Sequence, residues 1–408
     1  MHTLRMLGRI AAVSLALAPV ATAQDWPQWR GPNRDGAVAS FREPASWPQA
    51  LTARWKVEVG TGYATPLVVG DRIYAFARQG NDEVMMALDA GSGTVVWRTG
   101  YPASFSMNPA TARHGPGPKS TPTFAGGRLF TLGMTGLVTA FDAATGRRLW
   151  QHPAPPAQPM FHTSMSPVVD GNLVIVHIGG HNDGALTAFD AATGAVRWSW
   201  SGDGPAYGSP LVFNLGGTRQ VVTFTQNNLV GVSVAGGQLL WRRPYTTSSN
   251  TTAQTPILYK DMLIESGRGN GITAFRVTAG AGAWRTDDVW HTDAVSVHMS
   301  DAVAVDGVLF GLSHLNSGQY FALDLDTGKV LWTGPPRQAE HAALARAGNT
   351  IFSLEDDGEL VVIRHDRMKF APLVRYQVAT SETWPQPAIS GSRIFVKDVS
   401  SIALWTVE

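Results

Sequence analysis

The sequence predicts an all-β chain: an eight-bladed β-propeller of four-stranded antiparallel blades, closed by its own N-terminal strand. Three observations carry this. An eleven-residue phrase recurs along the chain, in full as Ala87-x-Asp89-x-x-x-Gly93-x-x-x-Trp97, Ala140…Trp150, Ala188…Trp198 and Ala322…Trp332. It survives in part as Gly237 with Trp241, and as Ala274, Gly280 and Trp284. Such self-similarity at about 40 to 50 residues marks radial or solenoid repeats. Second, short apolar runs begin after Thr65-Pro66, Thr121-Pro122, Ser166-Pro167, Ser209-Pro210, Thr255-Pro256 and Gln386-Pro387. Third, the last unit runs out one strand short, while a strand near the N-terminus has no unit of its own.

Residues 1–23 read as an export leader. Arg5 and Arg9 precede the apolar stretch Ile10–Ala18, and Ala21-Thr-Ala23 offers a small-x-small cleavage site. Residues 24–52 form an N-terminal extension, and residues 53–408 form the propeller. The orphan strand is Ala53-Arg-Trp-Lys-Val-Glu-Val59, whose Trp55 matches the tryptophan of the repeat.

Each unit then follows one plan. Proline is tolerated at the first residue of a strand, where no ladder donor is lost. In four units the run breaks at a glycine four residues later, at Gly70, Gly126, Gly171 and Gly391. Val303 before Gly307 and Leu344 before Gly348 fill the same slot without proline, which brings the count to eight. The phrase itself is a hairpin: alternating β-prone residues, an Asp-initiated turn with glycine at φ > 0, and a strand ending on tryptophan. A tryptophan so placed is packing material between neighbouring twisted sheets. The eighth unit has only Ala388–Ser390, Arg393–Lys397 and Ile402–Val407, so the N-terminal strand is expected to complete it and remove an open edge.

Composition fits. Glycine is abundant (43) and charged residues are few (15%), as recurring tight turns and buried strands require. Without the leader, 30 basic residues face 31 acidic ones (32 less Arg5 and Arg9, against 31). That near-neutral balance gives no support for nucleic-acid binding or attraction to an anionic membrane. The chain contains no cysteine, so stability must come from packing and ring closure.

The repeated phrase resembles the tryptophan-docking motif of the pyrroloquinoline-quinone-like (PQQ-like) propellers, the quinoprotein alcohol dehydrogenase-like superfamily. That superfamily holds dehydrogenases and also non-enzymatic members, such as the propeller lipoprotein of outer-membrane β-barrel assembly. The segment Asp25-Trp-Pro-Gln-Trp-Arg-Gly-Pro-Asn-Arg-Asp-Gly36 resembles the opening of exported bacterial repeat proteins described as quinone-binding-like. The likeness implies fold more than function, because one scaffold hosts enzymes and adaptors. Lacking cysteine, the chain departs from the family in three ways. It has no residue for a lipid anchor, no adjacent-cysteine disulfide against a quinone, and no Cys-x-x-Cys-His for haem.

In a propeller, the residues ahead of each inner strand ring one mouth of the central channel. Here they are Tyr63, Lys119, His162, Tyr207, Gln254, His298, His341 and Trp384, a funnel suited to a small anionic or aromatic ligand. The long loop from Tyr101 to Lys119 adds Arg113 and His114 on the same rim. The expectation is therefore a periplasmic or secreted binding and scaffold module, presenting its rim loops to a protein or small molecule, with no cofactor and no membrane insertion after leader cleavage. The alternative is a PQQ-dependent dehydrogenase oxidising an alcohol or sugar, with quinone stacked on Trp384 or Trp290 and its carboxylates held by Lys119 or Arg113. It would need Ca²⁺. Asp293, Asp301 and Glu340 lie near the rim, but no spacing motif picks them out as ligands.

Overall fold

The computed structural model describes residues 25–248, 251–280 and 282–407, so the expected leader lies outside the described residues. Eight sheets, each of four antiparallel strands and one with a fifth, parallel strand added, surround a channel. Blade 1 consists of Leu67–Val69, Arg72–Gln79, Asp82–Asp89 and Val95–Pro102, counted from the channel outward. Blade 2 runs Thr123–Ala125 to Arg148–His152, blade 3 Val168–Asp170 to Val196–Trp200, and blade 4 Leu211–Leu215 to Leu239–Pro244. Blade 5 runs Ile257–Tyr259 to Trp284–Thr292, blade 6 Val303–Val305 to Val330–Thr333, and blade 7 Ala342–Ala347 to Pro372–Gln377. Blade 8 has Ala388–Ser390, Arg393–Lys397 and Ser401–Thr406 from the C-terminus, and Thr52–Glu58 as its outer strand, with Glu58 opposite Ser401 and Thr52 opposite Thr406. The ring is thus closed by pairing between the two ends of the chain, as expected.

The hairpin turn works as its composition implies. In Asp89, Asp142, Asp190 and Asp324 one carboxylate oxygen accepts the backbone N–H three residues on, and the hydroxyl of that Ser or Thr as well. Gly93, Gly146, Gly194 and Gly328 follow at φ between 72° and 74°, a region that glycine enters without steric cost. The same glycine receives the tryptophan of the preceding blade. A Cβ on Gly146 would lie 2.4 Å from the Trp97 ring, and one on Gly194 2.7 Å from Trp150. The indole N–H then donates to a carbonyl of that next blade: Trp97 to Ala143 (3.0 Å), Trp150 to Ala191 (3.1 Å), Trp198 to Val234 (2.8 Å) and Trp55 to Ala90 (3.2 Å). Apolar area and one hydrogen bond together join sheet to sheet.

Blade 5 corrects the sequence reading. Its last hairpin is lengthened, and the residue opposite Ala274 is Trp290, the register that Ala87 holds with Trp97 and Ala188 with Trp198. Trp290 lies on Gly328 and donates to Leu325 O at 2.9 Å. It is therefore inter-blade packing and not a channel aromatic. Trp284, which spacing had placed in that role, pairs with Ala279 and lies against Gly216 of blade 4.

The Ser/Thr-Pro marks also acquire a reason. In five of the six, the residue before the proline passes a hydrogen bond to its neighbour round the channel, and the sixth, Ser209, accepts one. Gln386 N donates to Thr65 Oγ1, Thr65 N to Thr121 Oγ1, Thr121 N to Ser166 Oγ, and Ser166 N to Ser209 Oγ. Thr255 N donates to Asp301 Oδ1 at 3.0 Å. Inner strands are only three to six residues long, so this belt satisfies backbone donors that their ladders leave over.

Candidate functional site: a plugged and lidded central cavity

The N-terminal extension decides what the channel is. Trp26 pairs with Val68 of blade 1, Pro27 O accepts from Phe124 N of blade 2, and Ala37–Val38 adds a parallel strand to blade 7. Between these anchors the segment crosses the channel. Arg34 donates to the carbonyls of Ser166 and Pro167, Trp29 Nε1 to Thr255 Oγ1 at 3.1 Å, and Arg30 to Ala302 O at 2.7 Å, beside Asp301 at 3.6 Å. Gly31 and Gly36, at φ 77° and 75°, allow the tight turns of this plug; Gly31 packs directly on the Trp26 ring. One end of the channel is filled by the chain's own arginines and tryptophans.

Above the plug lies a cavity of about 310 Å³, at the small end of ligand sites. Trp29 is on its wall with Tyr63, Phe161, Tyr207, Met299 and Trp384, and the polar groups are Lys119, His114, His341, Asp301 and several serines. The mouth is covered by the loop after blade 1. There Pro109–His114 forms a 3-10 helix, capped by the Asn108 side chain accepting from Ala110 N.

The cavity thus gathers Tyr63, Lys119, Tyr207, His341 and Trp384 from the expected ring. His341 stacks on Trp384 with centroids 4.6 Å apart and planes at 21°, and its Nε2 sits 3.1 Å from Trp384 O. Arg113 lies at the mouth, its guanidinium 5.8 Å from the Trp384 ring. His162 and His298 are not on the wall. His162 is buried at φ 64° with its ring edge-on to Phe105. His298 Nε2 is 3.5 Å from Thr251 Oγ1, near His314. Gln254 is buried behind the wall. Asp293 is exposed beside His291, and Glu340 pairs with Arg113.

Charge in the channel is unbalanced. Lys119 makes a long hydrogen bond to Phe161 O at 3.4 Å, and no carboxylate pairs with it among the described residues. Burial pushes its ammonium down to about 8. Arg34, wholly enclosed, is pushed down to about 9 by burial and by the neighbouring Arg30. Against Arg30, Arg34 and Lys119 stand Asp301, which is occupied by Arg30 and Thr255, and Glu382, which accepts from Trp384 Nε1 at 3.1 Å; neither pairs with Lys119. Such a site favours an anion.

Sequence reasoning missed Trp29, Arg30 and Arg34 as parts of the site. The available signal was a segment rich in Trp, Arg and Gly that belonged to no repeat unit. Nothing in its spacing told where it would lie.

Comparisons with known proteins agree with the architecture. The family model described as outer membrane protein assembly factor BamB matches residues 81–254 and 246–405. An outer membrane protein assembly factor BamB from Yersinia pestis is 24% identical over 287 residues, covering 69% of this chain and 60% of that protein. One from Burkholderia pseudomallei (strain K96243) is 24% identical over 348 residues, covering 74% and 85%. Among solved structures, the quinohemoprotein alcohol dehydrogenase from Comamonas testosteroni superposes with a TM-score of 0.69 at 15% identity, over 94% of this chain and 80% of that one. That likeness concerns the fold. With its propeller matched from residue 81 to residue 405, the chain belongs to the BamB family of PQQ-like propellers.

Proposed function

We propose that this chain is an exported binding and scaffold module whose central cavity takes a small planar carboxylate. The observation that carries this is Lys119: a largely buried ammonium without a carboxylate partner among the described residues, set between aromatic walls in a blind cavity. A carboxylate on its Nζ would gain a charge-assisted hydrogen bond in a poorly solvated site, while Tyr63, Trp384 and Trp29 would cover the apolar body of the ligand. Family membership supports a binding or scaffolding role, and the Arg5-to-Ala23 pattern supports passage to the periplasm or beyond. A protein partner at the rim loops remains part of this reading.

The dehydrogenase alternative asks for Ca²⁺ beside a quinone, hence several convergent hard oxygens. Asp301 is the carboxylate on the cavity wall, and its oxygens already serve Arg30 and the Thr255 N–H. That donor set does not fit the ion, so no catalytic step is derived.

The test is calorimetric titration of the mature protein with aromatic mono- and dicarboxylates and with pyrroloquinoline quinone, each with and without Ca²⁺. Saturable, Ca²⁺-independent binding that Lys119→Met abolishes is the expected result. Binding that requires Ca²⁺, or that Lys119→Met leaves intact, would overturn it.

A further inference from the structure

We infer that the loop from Ala103 to Pro118 is a lid over the cavity, and that the Arg113–Glu340 ion pair is its latch. The lid goes beyond the ligand reading and does not depend on which ligand binds. Three observations place it. Its residues Ala110, Thr111 and His114 form part of the cavity wall. It leaves blade 1 at Pro102, returns at blade 2, and yet reaches across the mouth to Glu340, which precedes blade 7, at 3.0 Å. At its other edge Asn108 Nδ2 donates to Met160 O at 3.0 Å, in the connection between blades 2 and 3.

The lid's two ends are fixed by buried Arg78, which donates to Ala103 O at 2.6 Å and to Pro116 O at 2.9 Å, and Phe105 packs on Arg78 and His162. The stretch between, Asn108 to His114, is held more lightly, with His114 edge-on to Trp384 at 4.7 Å. Of its 3-10 helix only Thr111 is buried, and both latch side chains are about half exposed, at 49% and 65%. Exposed pairs are weak and screened by salt, so the Asn108–His114 stretch can swing out without disturbing a blade once the latch and the His114–Trp384 ring contact part. Gly115 (φ 65°) has open space where a Cβ would stand, which suits it as one hinge. Beyond it Gly117 is wedged against Thr61 O and fixes the C-terminal end. Since the plug fills the opposite end of the channel, a ligand enters past this lid.

The absence of cysteine allows a test that needs no ligand. Ser164→Cys places one thiol on the cavity wall with a near-isosteric change, and its modification by a small methanethiosulfonate reagent reports access. Ala253→Cys serves as a second probe if the first variant folds poorly. Labelling is expected to speed up roughly two- to fivefold on Arg113→Glu, Glu340→Arg or a rise to 1 M salt, the scale of an exposed pair. The double charge reversal, Arg113→Glu with Glu340→Arg, is expected to slow it again at low salt. Equal rates in all four backgrounds, or a double reversal as fast as either single one, would overturn the latch. Because the thiol reports access alone, this outcome is separable from any failure of carboxylate binding.

Discussion

At the scale of single residues, the cavity's chemistry rests on Lys119 and Asp301, and each has a distinct consequence. Burial holds Lys119 near 8 instead of the usual 10.5, so it is charged at neutral pH and loses its proton as pH rises through about 8. Carboxylate affinity is therefore expected to be flat up to pH 7 and to fall between pH 8 and 10, read by calorimetry at successive pH values; the fall should be absent in Lys119→Arg. Asp301 has a structural duty. It sits beside buried Arg30 and accepts the Thr255 N–H at 3.0 Å. Removing one member of a buried pair strands the other charge, so Asp301→Ala should cost about 3–5 kcal/mol in denaturant unfolding. A loss under about 1 kcal/mol would mean that Arg30 is served by the carbonyls of Arg34, Asp35 and Ala302 alone.

At the scale of the element, the hairpin phrase is an adhesive unit: its aspartate builds the turn, its glycine receives a tryptophan, and its own tryptophan reaches the next blade. Blade 5 shows which part matters. The lengthened hairpin moved the tryptophan in sequence from 284 to 290, but its register opposite Ala274 and its seat on Gly328 stayed the same. Gly328 combines φ 73° with a Cβ position 2.6 Å from the Trp290 ring. Gly328→Ala is thus strained in backbone and side chain together, and should lower stability by roughly 1–3 kcal/mol. Trp290→Ala should lower it by about 3 kcal/mol through the cavity it leaves. Both should leave carboxylate affinity unchanged in the folded fraction, as measured by calorimetry. A lost affinity in Trp290→Ala would return that residue to the channel.

At the scale of the molecule, titration couples to the stability of the fold. Eight histidines are held below their usual 6.5 mainly by burial, with His177 and His298 near 4. In the unfolded chain they bind protons more readily, so their contribution to stability is present above about 6.5 and lost as pH falls toward 4. Glu83, Glu265 and Glu355 act the other way. Burial raises them, the last two to about 7, so the fold gains from them on acidification from 7 toward 4.5. His177 and His298 offset Glu265 and Glu355, and the six further depressed histidines tip the balance, so the melting temperature is expected to drop between pH 6.5 and 4. His177→Phe, which removes a wholly buried imidazole, should flatten that drop. A melting temperature constant across this range would show the two sets cancelling.

What the sequence by itself determined is everything local and repeated. Turn chemistry, glycines at φ > 0, strand-opening prolines and the spacing of tryptophans state one hairpin many times, and eight twisted sheets with one strand missing can only close on the orphan Trp55 strand. What only the tertiary structure decided is long-range. Trp29, Arg30 and Arg34 meet Thr255, Ala302 and Ser166 across more than 130 residues of chain, and the lid meets Glu340 across 227. No periodicity marks such contacts, because each is made once. The same holds for His162 and His298, whose rank in the ring was legible but whose position off the cavity wall was not. A repeat fixes where each blade begins; which side chain faces the channel depends on the non-repeating segments that fill it.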